Sequence, residues 1–527
     1  MDSDSEPIYS KRKRSIFQSS SDEDSDSDIY PDNKWIPKNL KPKLHSFCND
    51  IAGAKDEVKS SCTILDFFKV FVNAEFMELI VKQTNDYQLY KYASLENHSE
   101  AWQEVTCKEM YCFLAIAMLM TRNKKLCISE YWSTDKFLKS DIFGQIMSRN
   151  RFFDILKMLH FCDNNITSNT DRLNKIRAIL DIIRHKFRES FRPSEKLCID
   201  ESLLLFKGRL SFKQYIPSKR TRFGVKTFVL CDCISGYVLD LIIYTGATTL
   251  VEAVYEGIGK SGNIVMELLS PYLGNGHTIY MDNWFTSPKL FQLLFMNKVN
   301  ACGTVRKNRK DMPQINGKLK DGEWSFRATK TMLALKWQDK RDVWMLTTAH
   351  SAEYCLTGKK NYKTGNPILK PTCVVDYNLH MGAVDKRDMV LSTLKSVRKS
   401  QKWYKKVFFH LFDICVYNAR ILHKDVTGQN LSFAQFQLQL IKEIISECSE
   451  RRKKAGGGRL SIENILRLSE RHFPSICQSE IASNSQRNCV VCKKAGIRKR
   501  SHYQCSKCNI GLCVVPCFER YHTLQDY

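Results

Sequence analysis

The chain has 527 residues, enough for several folded units, and carries a formal charge of +25, with 81 Lys and Arg against 56 Asp and Glu. The first 30 positions hold eight acids against four bases, so the rest is more basic still, and a phosphate backbone is the natural partner; a plain basic surface or a binder of acidic proteins would share this charge. With no run of about 18 or more apolar residues and no positive-then-apolar leader, neither membrane insertion nor secretion is expected.

Residues 1–45 are polar and low in complexity, with Ser and acid mixed over 19–28, and such a segment cannot bury enough surface to order itself. Its serines beside acids suit acid-directed kinases. The basic run at 11–14 fits a nuclear-import signal and equally a solvated charge cluster.

From 60 to 195 the apolar spacing is helical: Phe67, Phe68, Val70 and Phe71 begin one stretch, 110–120 another and 152–159 a third. Ile176, Ile179, Leu180, Ile183 and Phe187 share the face of a fourth. Arg149, Arg151, Lys157, Arg172, Lys175, Arg177, Arg184, Lys186 and Arg188 decorate these helices, as a DNA-contacting helical domain would require and as solvated helix faces also show.

At Lys196 the texture changes. Segments 197–206, 227–233, 237–244 and 277–282 read as strands, the middle two joined by Ile234, Ser235 and Gly236 as a hairpin; 288–299 reads as a helix and 301–305 as a strand. Asp200 sits on the first strand and Asp282 closes the fourth, while Asp385 opens a helical pattern at 384–388. A carboxylate at the end of a buried strand is costly unless paired or metal-bound. Three such acids far apart in sequence predict a Mg2+ or Mn2+ site, because repulsion among them is relieved by a cation. Strands, then a helix, then a strand, with acids on the first and fourth strands, is the order of a ribonuclease H-like core. Asp232, Asp240 and Asp376 lack that setting and read as strand-end or helix-cap acids.

Asp282 and Asp385 are 103 residues apart, more than one helix and one strand need, and 306–375 alternates apolar and polar between glycines, so a β-rich insertion is expected there. Helical spacing returns at Tyr404, Val407, Phe408, Leu411, Phe412, Cys415, Val416 and Ala419, and again over 431–450, before a basic, glycine-rich tether. Basic clusters Lys207, Arg209, Lys213, Lys219, Arg220, Arg222 and Lys226, and Arg306, Lys307, Arg309 and Lys310, follow the first and fifth strands, placed to hold phosphates beside the metal site or to lie in solvated loops.

Six of the 21 cysteines crowd into the last 40 residues, as Cys489 and Cys492, Cys505 and Cys508, and Cys513 and Cys517, followed by His522. Two C-x-x-C pairs with a third pair and a histidine behind them have structural-zinc spacing. Interleaving puts Cys489, Cys492, Cys513 and Cys517 on one ion and leaves Cys505, Cys508 and His522 one ligand short; His502, a water or Asp526 would complete that set. The nearby lysines and arginines suit DNA, and a histone-tail or protein ligand stays open. The scattered cysteines read as reduced core residues.

The runs at 198–201, 207–209, 279–287, 302–306, 381–388 and 517–523 together resemble piggyBac-type DDE/D transposases, over about 60–527. The resemblance implies an α+β multidomain chain: a disordered leader (1–45), a helical dimerisation and DNA-binding domain (60–195), a ribonuclease H-like catalytic core (196–305 and 376–425) with an insertion domain (306–375), a helix and flexible basic linker (426–486), and a cysteine-rich zinc domain (487–527). It further implies that Asp200, Asp282 and Asp385 are the catalytic, metal-holding triad, with Asp388 as a further family acid. Two-metal cut-and-paste chemistry on double-stranded DNA, hairpins at transposon ends, integration at TTAA, a homodimer and a nuclear location follow from the same resemblance. The rival expectation is a domesticated nuclear DNA- or chromatin-binding protein that keeps the fold without moving DNA.

Overall fold

The structure, a computed structural model, describes residues 34–48, 52–61, 63–92, 102–164, 171–217, 222–246, 249, 251, 253–360, 365–396, 400–448, 471–477 and 486–524. The basic run at 11–14, the acidic stretch at 19–28, Lys219, Arg220, Asp526 and most of the tether lie outside the described residues. Two compact units emerge, Met1–Glu450 and Arg451–Tyr527. No described helix is long and apolar enough to cross a membrane.

The first unit is built on one nine-stranded sheet. Its central strand, β1 (Lys196–Leu205), lies between a short antiparallel edge strand, β2 (Gln214–Tyr215), with β3 (Phe223–Asp232) and β4 (Val238–Ile243) on one side, and the later strands on the other. β1 pairs antiparallel with β3 and parallel with β5 (Thr278–Met281), which runs parallel to β6 (Asn300–Thr304). Most residues of these strands are buried because both faces are covered, and the polar ones on β1 gather where the sheet meets the helices that carry Asp376 and Asp388. The foreseen strands therefore form with small shifts at their ends.

The stretch 306–375, expected to be a β-rich insertion, does carry strands, and most of them extend the main sheet. Of its strands, β7 (Trp324–Ala328), β8 (Leu333–Gln338) and β9 (Asp342–Thr347) continue the same sheet, with Leu346 of β9 opposite Gly303 of β6. The physical reason is the edge: β6 would otherwise present unpaired backbone groups, which β9 satisfies. Only the hairpin of β10 (Tyr354–Lys360) and β11 (Pro367–Pro371) forms a sheet of its own. Ile36 bridges Ala328 at the outer edge of β7.

Helices precede this sheet: α1 (Ile64–Lys69), α2 (Ala74–Tyr92), α3 (Cys107–Arg122) and α4 (Arg149–Met158) pack with one another and with later helices, and α5 (Arg177–Ser190) packs on β4. Thr63 starts α1 with a reciprocal cap: its hydroxyl accepts from Asp66 N at 3.1 Å and Asp66 Oδ2 accepts from Thr63 N at 2.9 Å. A helix absent from the sequence expectation, α6 (Gly259–Leu269), leads into β5; buried on most sides, it lacks the one-sided spacing that marks amphipathic helices. α7 (Pro288–Met296) links β5 to β6, and after the strands come α8 (Thr372–His380), α9 (Ala383–Thr393), α10 (Trp403–Thr427) and α11 (Phe433–Cys448). α10 is the mast of the unit. Phe412 meets Phe68 of α1 edge-on at 5.7 Å, and one apolar core runs from Phe67 and Phe113 through Leu197 and Ile279 to Phe408.

Much of the basic decoration on the early helices serves this packing. Arg151 grips Glu109 at 2.7 and 2.6 Å, Arg177 grips Asp171 at 2.8 and 3.0 Å, and Arg184 and Arg188 converge on the fully buried Asp240 of β4. Those four arginines hold elements together, because a buried carboxylate demands a paired cation.

The second unit is small: β12 (Pro474–Ile476), β13 (Arg487–Asn488), α12 (Val490–Lys494), β14 (Arg500–Ser501), β15 (Tyr503–Cys505), β16 (Ile510–Gly511) and α13 (Cys517–Thr523). β12 pairs with β15, so residues 474–476, expected in the flexible linker, are part of the folded unit. A third strand completes a backbone ladder that two short strands leave open.

Candidate active site and metal centres

Asp200 is half-buried in the middle of β1, and Asp282 follows the last residue of β5. In the parallel register Cys198 faces Tyr280 and Ile199 faces Met281, so Asp200 and Asp282 occupy the next rung on adjacent strands. Side chains alternate along a strand, which puts Lys196, Cys198, Asp200 and Ser202 on one face. That face is covered by α8 and the start of α9. Lys196 Nζ reaches Asp376 at 3.2 Å, Cys198 Sγ donates to Met381 O at 3.1 Å, and Ser202 Oγ donates to Asp388 Oδ2 at 2.8 Å. Asp385, exposed in the first turn of α9, is thereby brought to the Asp200 side of the sheet.

Local backbone fixes Asp282. Its Oδ1 accepts from Trp284 N at 2.9 Å, and its carbonyl accepts from the Thr286 hydroxyl at 2.9 Å. Gly303 lies beside it on β6: a Cβ there would stand 2.6 Å from Met281 O and would also collide with Thr286. Only glycine lets β6 pass this closely.

Burial, reinforced by the nearby Glu201 carboxylate, pushes the Asp282 carboxyl above the usual range, against the Trp284 N–H and Lys226. Burial first, then the Asp282 and Asp200 carboxylates, also push the Tyr377 phenol up, so this hydroxyl of α8 stays protonated beside both acids. Tyr377 carries no sequence signal; helix α8 alone brings it there.

Asp388 has a different setting. Burial acts to raise its carboxyl, but Arg387, the Ser202 hydroxyl and the neighbouring charges outweigh it and hold it below the usual range. One oxygen takes the fully buried Arg387 guanidinium and the other takes Ser202. Both are spent inside the protein. Asp376, read from sequence as a cap, is a hub for Lys196, His350 Nε2 at 3.1 Å, the Tyr280 hydroxyl and His380. Asp232 caps a turn through Ser194 N at 2.8 Å and Ser235 N at 2.7 Å.

The two basic clusters divide. Arg309 reaches the Asn283 and Trp284 carbonyls and Arg306 Nε reaches Asn283 Oδ1 at 3.3 Å, so the 306–310 loop folds against the turn that carries Asp282. Lys226, expected to hold phosphate, is instead buried: it pairs with Glu201 and lies 4.7 Å from the Trp284 ring, itself stacked on Phe228. Its ammonium is consumed by an internal carboxylate.

Among the described residues, two groups of three or more His, Cys, Asp or Glu side chains converge to within 4.8 Å, and both lie in the second unit. Asp200, Asp282 and Asp385 are not such a group. A site for two ions about 3.5–4 Å apart does not require that closure, since ligands at its opposite ends are separated by more than one ion's span.

Cys489, Cys492, Cys513 and Cys517 form the first convergent group, as interleaving of the pairs requires. Cys492 Sγ lies 3.9 Å from Cys513 Sγ and 3.5 Å from Cys517 Sγ. Tetrahedral thiolates on one zinc would stand roughly 3.8 Å apart. Cys505, Cys508, His522 and His472 form the second group. His472 Nδ1 is 3.4 Å from both sulfurs, and His522 Nε2 is 3.6 Å from Cys508 Sγ. His522 Nδ1 must donate to Phe518 O at 2.8 Å, which leaves Nε2 to a metal. The missing ligand is thus His472 and not His502, whose Nε2 meets Gln486 at 2.7 Å. The sequence reading sought this ligand within or after the cysteine run, at His502 or Asp526; β12 brings in a histidine from before it, 33 residues upstream of Cys505.

Residues 64–420 match the family described as Transposase IS4. Among curated proteins, PiggyBac transposable element-derived protein 3 of Homo sapiens is 25% identical over 475 residues, 88% of this chain and 76% of that one. PiggyBac transposable element-derived protein 2 of Homo sapiens is 24% identical over 410 residues, 75% of this chain and 67% of that one. A piggyBac transposase solved by cryo-EM in a synaptic complex with hairpin DNA shares the fold, with a TM-score of 0.71 at 24% identity, over 88% of this chain and 98% of that one. With a family match across well over half of its length, the chain belongs to the IS4/piggyBac-type transposases.

Proposed function

We propose that the chain is a DNA transposase, a nuclease and strand transferase with a ribonuclease H-like core, which excises DNA at transposon ends and integrates it at TTAA through hairpin ends. The observation that carries this reading is the parallel pairing of β1 with β5, which sets Asp200 and Asp282 on one rung, with α9 pinned over the same face. Asp200, Asp282 and Asp385 would hold divalent cations, and the half-buried, raised carboxyl of Asp282 beside Glu201 fits such a role because a cation relieves it. A pair of Mg2+ or Mn2+ ions bound there supplies Lewis-acid charge for in-line displacement at phosphorus.

The chain's own residues do the positioning. Asp388 and Ser202 fix α9 against β1, so Asp388 is a positioning residue for Asp385. Arg306 and Arg309 brace the Asp282 turn, and the exposed cations of that loop hold phosphates. No protein nucleophile is needed, since water or a DNA 3′-hydroxyl attacks. The two Cys/His groups each take a structural Zn2+, four thiolates on one and Cys2His2 on the other. Double-stranded DNA is the partner, a homodimer brings two ends together, and the work is nuclear.

A second reading is a DNA-binding protein descended from a transposase, favoured by relatives named as transposable element-derived. Incubation of the purified protein with end-bearing DNA and Mg2+ separates the two: nicks and hairpins are expected, and binding without either leaves only the second reading.

A further inference from the structure

The hairpin that joins β2 to β3 exposes two aromatic rings. Tyr215 and Phe223 are direct cross-strand partners, and their rings stack with centroids 4.6 Å apart at 29°. Tyr215 remains 55% exposed and Phe223 41%. Such a pair on an edge strand is an aggregation liability unless a ligand covers it. Each ring already shields one face of the other, so what is left open is a flat π surface.

Register relates this surface to the candidate active site. Asp200 lies opposite Val229, and Phe223 is six residues from Val229 along β3, an even step, so Tyr215 and Phe223 share the face of Asp200. Six residues of strand span about 20 Å. B-form DNA rises about 3.4 Å per nucleotide along its axis, so this is about six nucleotides of duplex and fewer of an extended single strand. The surroundings are cationic: Lys213 Nζ lies 5.8 Å from the Phe223 ring, and the exposed Arg222 adjoins it. Positive side chains beside an open aromatic face suit a nucleobase held by its backbone charge and its flat ring; a paired base offers no free face to it.

We infer that Tyr215, backed by Phe223, is a stacking platform for an unpaired nucleobase within about six nucleotides of the phosphate that is cut. This rests on the transposase reading and adds to it a single-strand subsite built by the β2–β3 hairpin.

The test uses the full chain, a fully paired end duplex, and the same duplex with a single-stranded flank carrying 2-aminopurine at successive positions. Expected results are fluorescence quenching confined to one or two positions within about six nucleotides of the cut site, a loss of about tenfold or more in affinity for the flanked DNA in Tyr215→Ala with duplex affinity unchanged, and retention of both in Tyr215→Phe. Equal affinity of Tyr215→Ala and the parent for flanked DNA overturns the platform, as does an absence of quenching at every position in the parent protein, a readout independent of any variant's folding. Equal loss on both DNAs also overturns it, since the contact would then be with duplex. Failure of the parent protein to bind either DNA would instead sink the transposase reading itself.

Discussion

Ser202 of β1 donates a 2.8 Å hydrogen bond to Asp388 of α9, tying the strand that carries Asp200 to the helix that carries Asp385, two and three residues from those acids. The other oxygen of Asp388 holds Arg387, which is fully buried. Removing the carboxylate leaves a buried cation without a partner. Asp388→Ala is therefore expected to destabilise the first unit by about 3 kcal/mol, and Ser202→Ala by about 1 kcal/mol, in chemical denaturation. The Asp388 carboxyl is held below the usual range, so its stabilisation is full above the ordinary carboxylate pKa and fades as pH falls through the lowered value. The stability gap between the parent and Asp388→Asn should narrow in acid; a constant gap would contradict the ion pair.

For Asp282 the sign is opposite. Burial and Glu201 raise its carboxyl, so the ionised form costs stability that appears as pH rises through the unfolded value and is complete above the folded one. Without divalent cation, Asp282→Asn should melt higher than the parent at pH 8 and equally near pH 4. Mg2+ or Mn2+ should raise the parent's Tm at pH 8 and leave the variant unmoved. DNA cleavage should fall by at least about a thousandfold in Asp282→Asn while end binding is kept; normal cutting would remove Asp282 from the site.

Gly303→Ala probes the packing behind Asp282. The new methyl would press on Met281 O and Thr286, on the turn that aims the carboxylate. Cleavage is expected to drop by about tenfold or more, with DNA affinity within about twofold, because the binding loops are untouched. Gel-resolved cleavage and anisotropy on one preparation give both numbers.

His472→Ala should lower bound zinc from two ions per chain to one by native mass spectrometry, whereas His502→Ala should keep two. Cys505→Ser should weaken end binding without changing the melting of the first unit, since the two units are compact separately. Two zinc ions retained in His472→Ala would return the eighth ligand to another residue.

Arg306→Ala should lower DNA affinity for all sequences alike and reduce the slope of log affinity against log salt by about one. Lys226→Met should leave that slope unchanged, because its ammonium is buried against Glu201 and Trp284. The same titration series measures both.

Period and spacing were legible in the chain itself. Alternation and apolar runs marked β1, β3, β4, β5 and β6, helical spacing marked α3, α4, α5 and α10, and the cysteine pairs marked the side chains that converge in the second unit, because each signal lies within one element or one turn. α6 escaped because a helix buried on most sides has no polar face to betray its period. Strand character over 306–375 was legible too, but not that β7, β8 and β9 would extend the main sheet, since which edge a strand joins depends on what the edge of β6 lacks, not on its own residues. Charge counts could not tell Arg184, Arg188 and Lys226, committed to Asp240 and Glu201, from cations left for DNA. Local sequence thus determined the elements and the acids worth testing. Only the tertiary structure decided that Tyr377 stands beside Asp200 and Asp282, that Asp388 serves Arg387 and Ser202, and that His472 completes a metal set, because each of these relations is a distance between residues that only packing and strand pairing bring together.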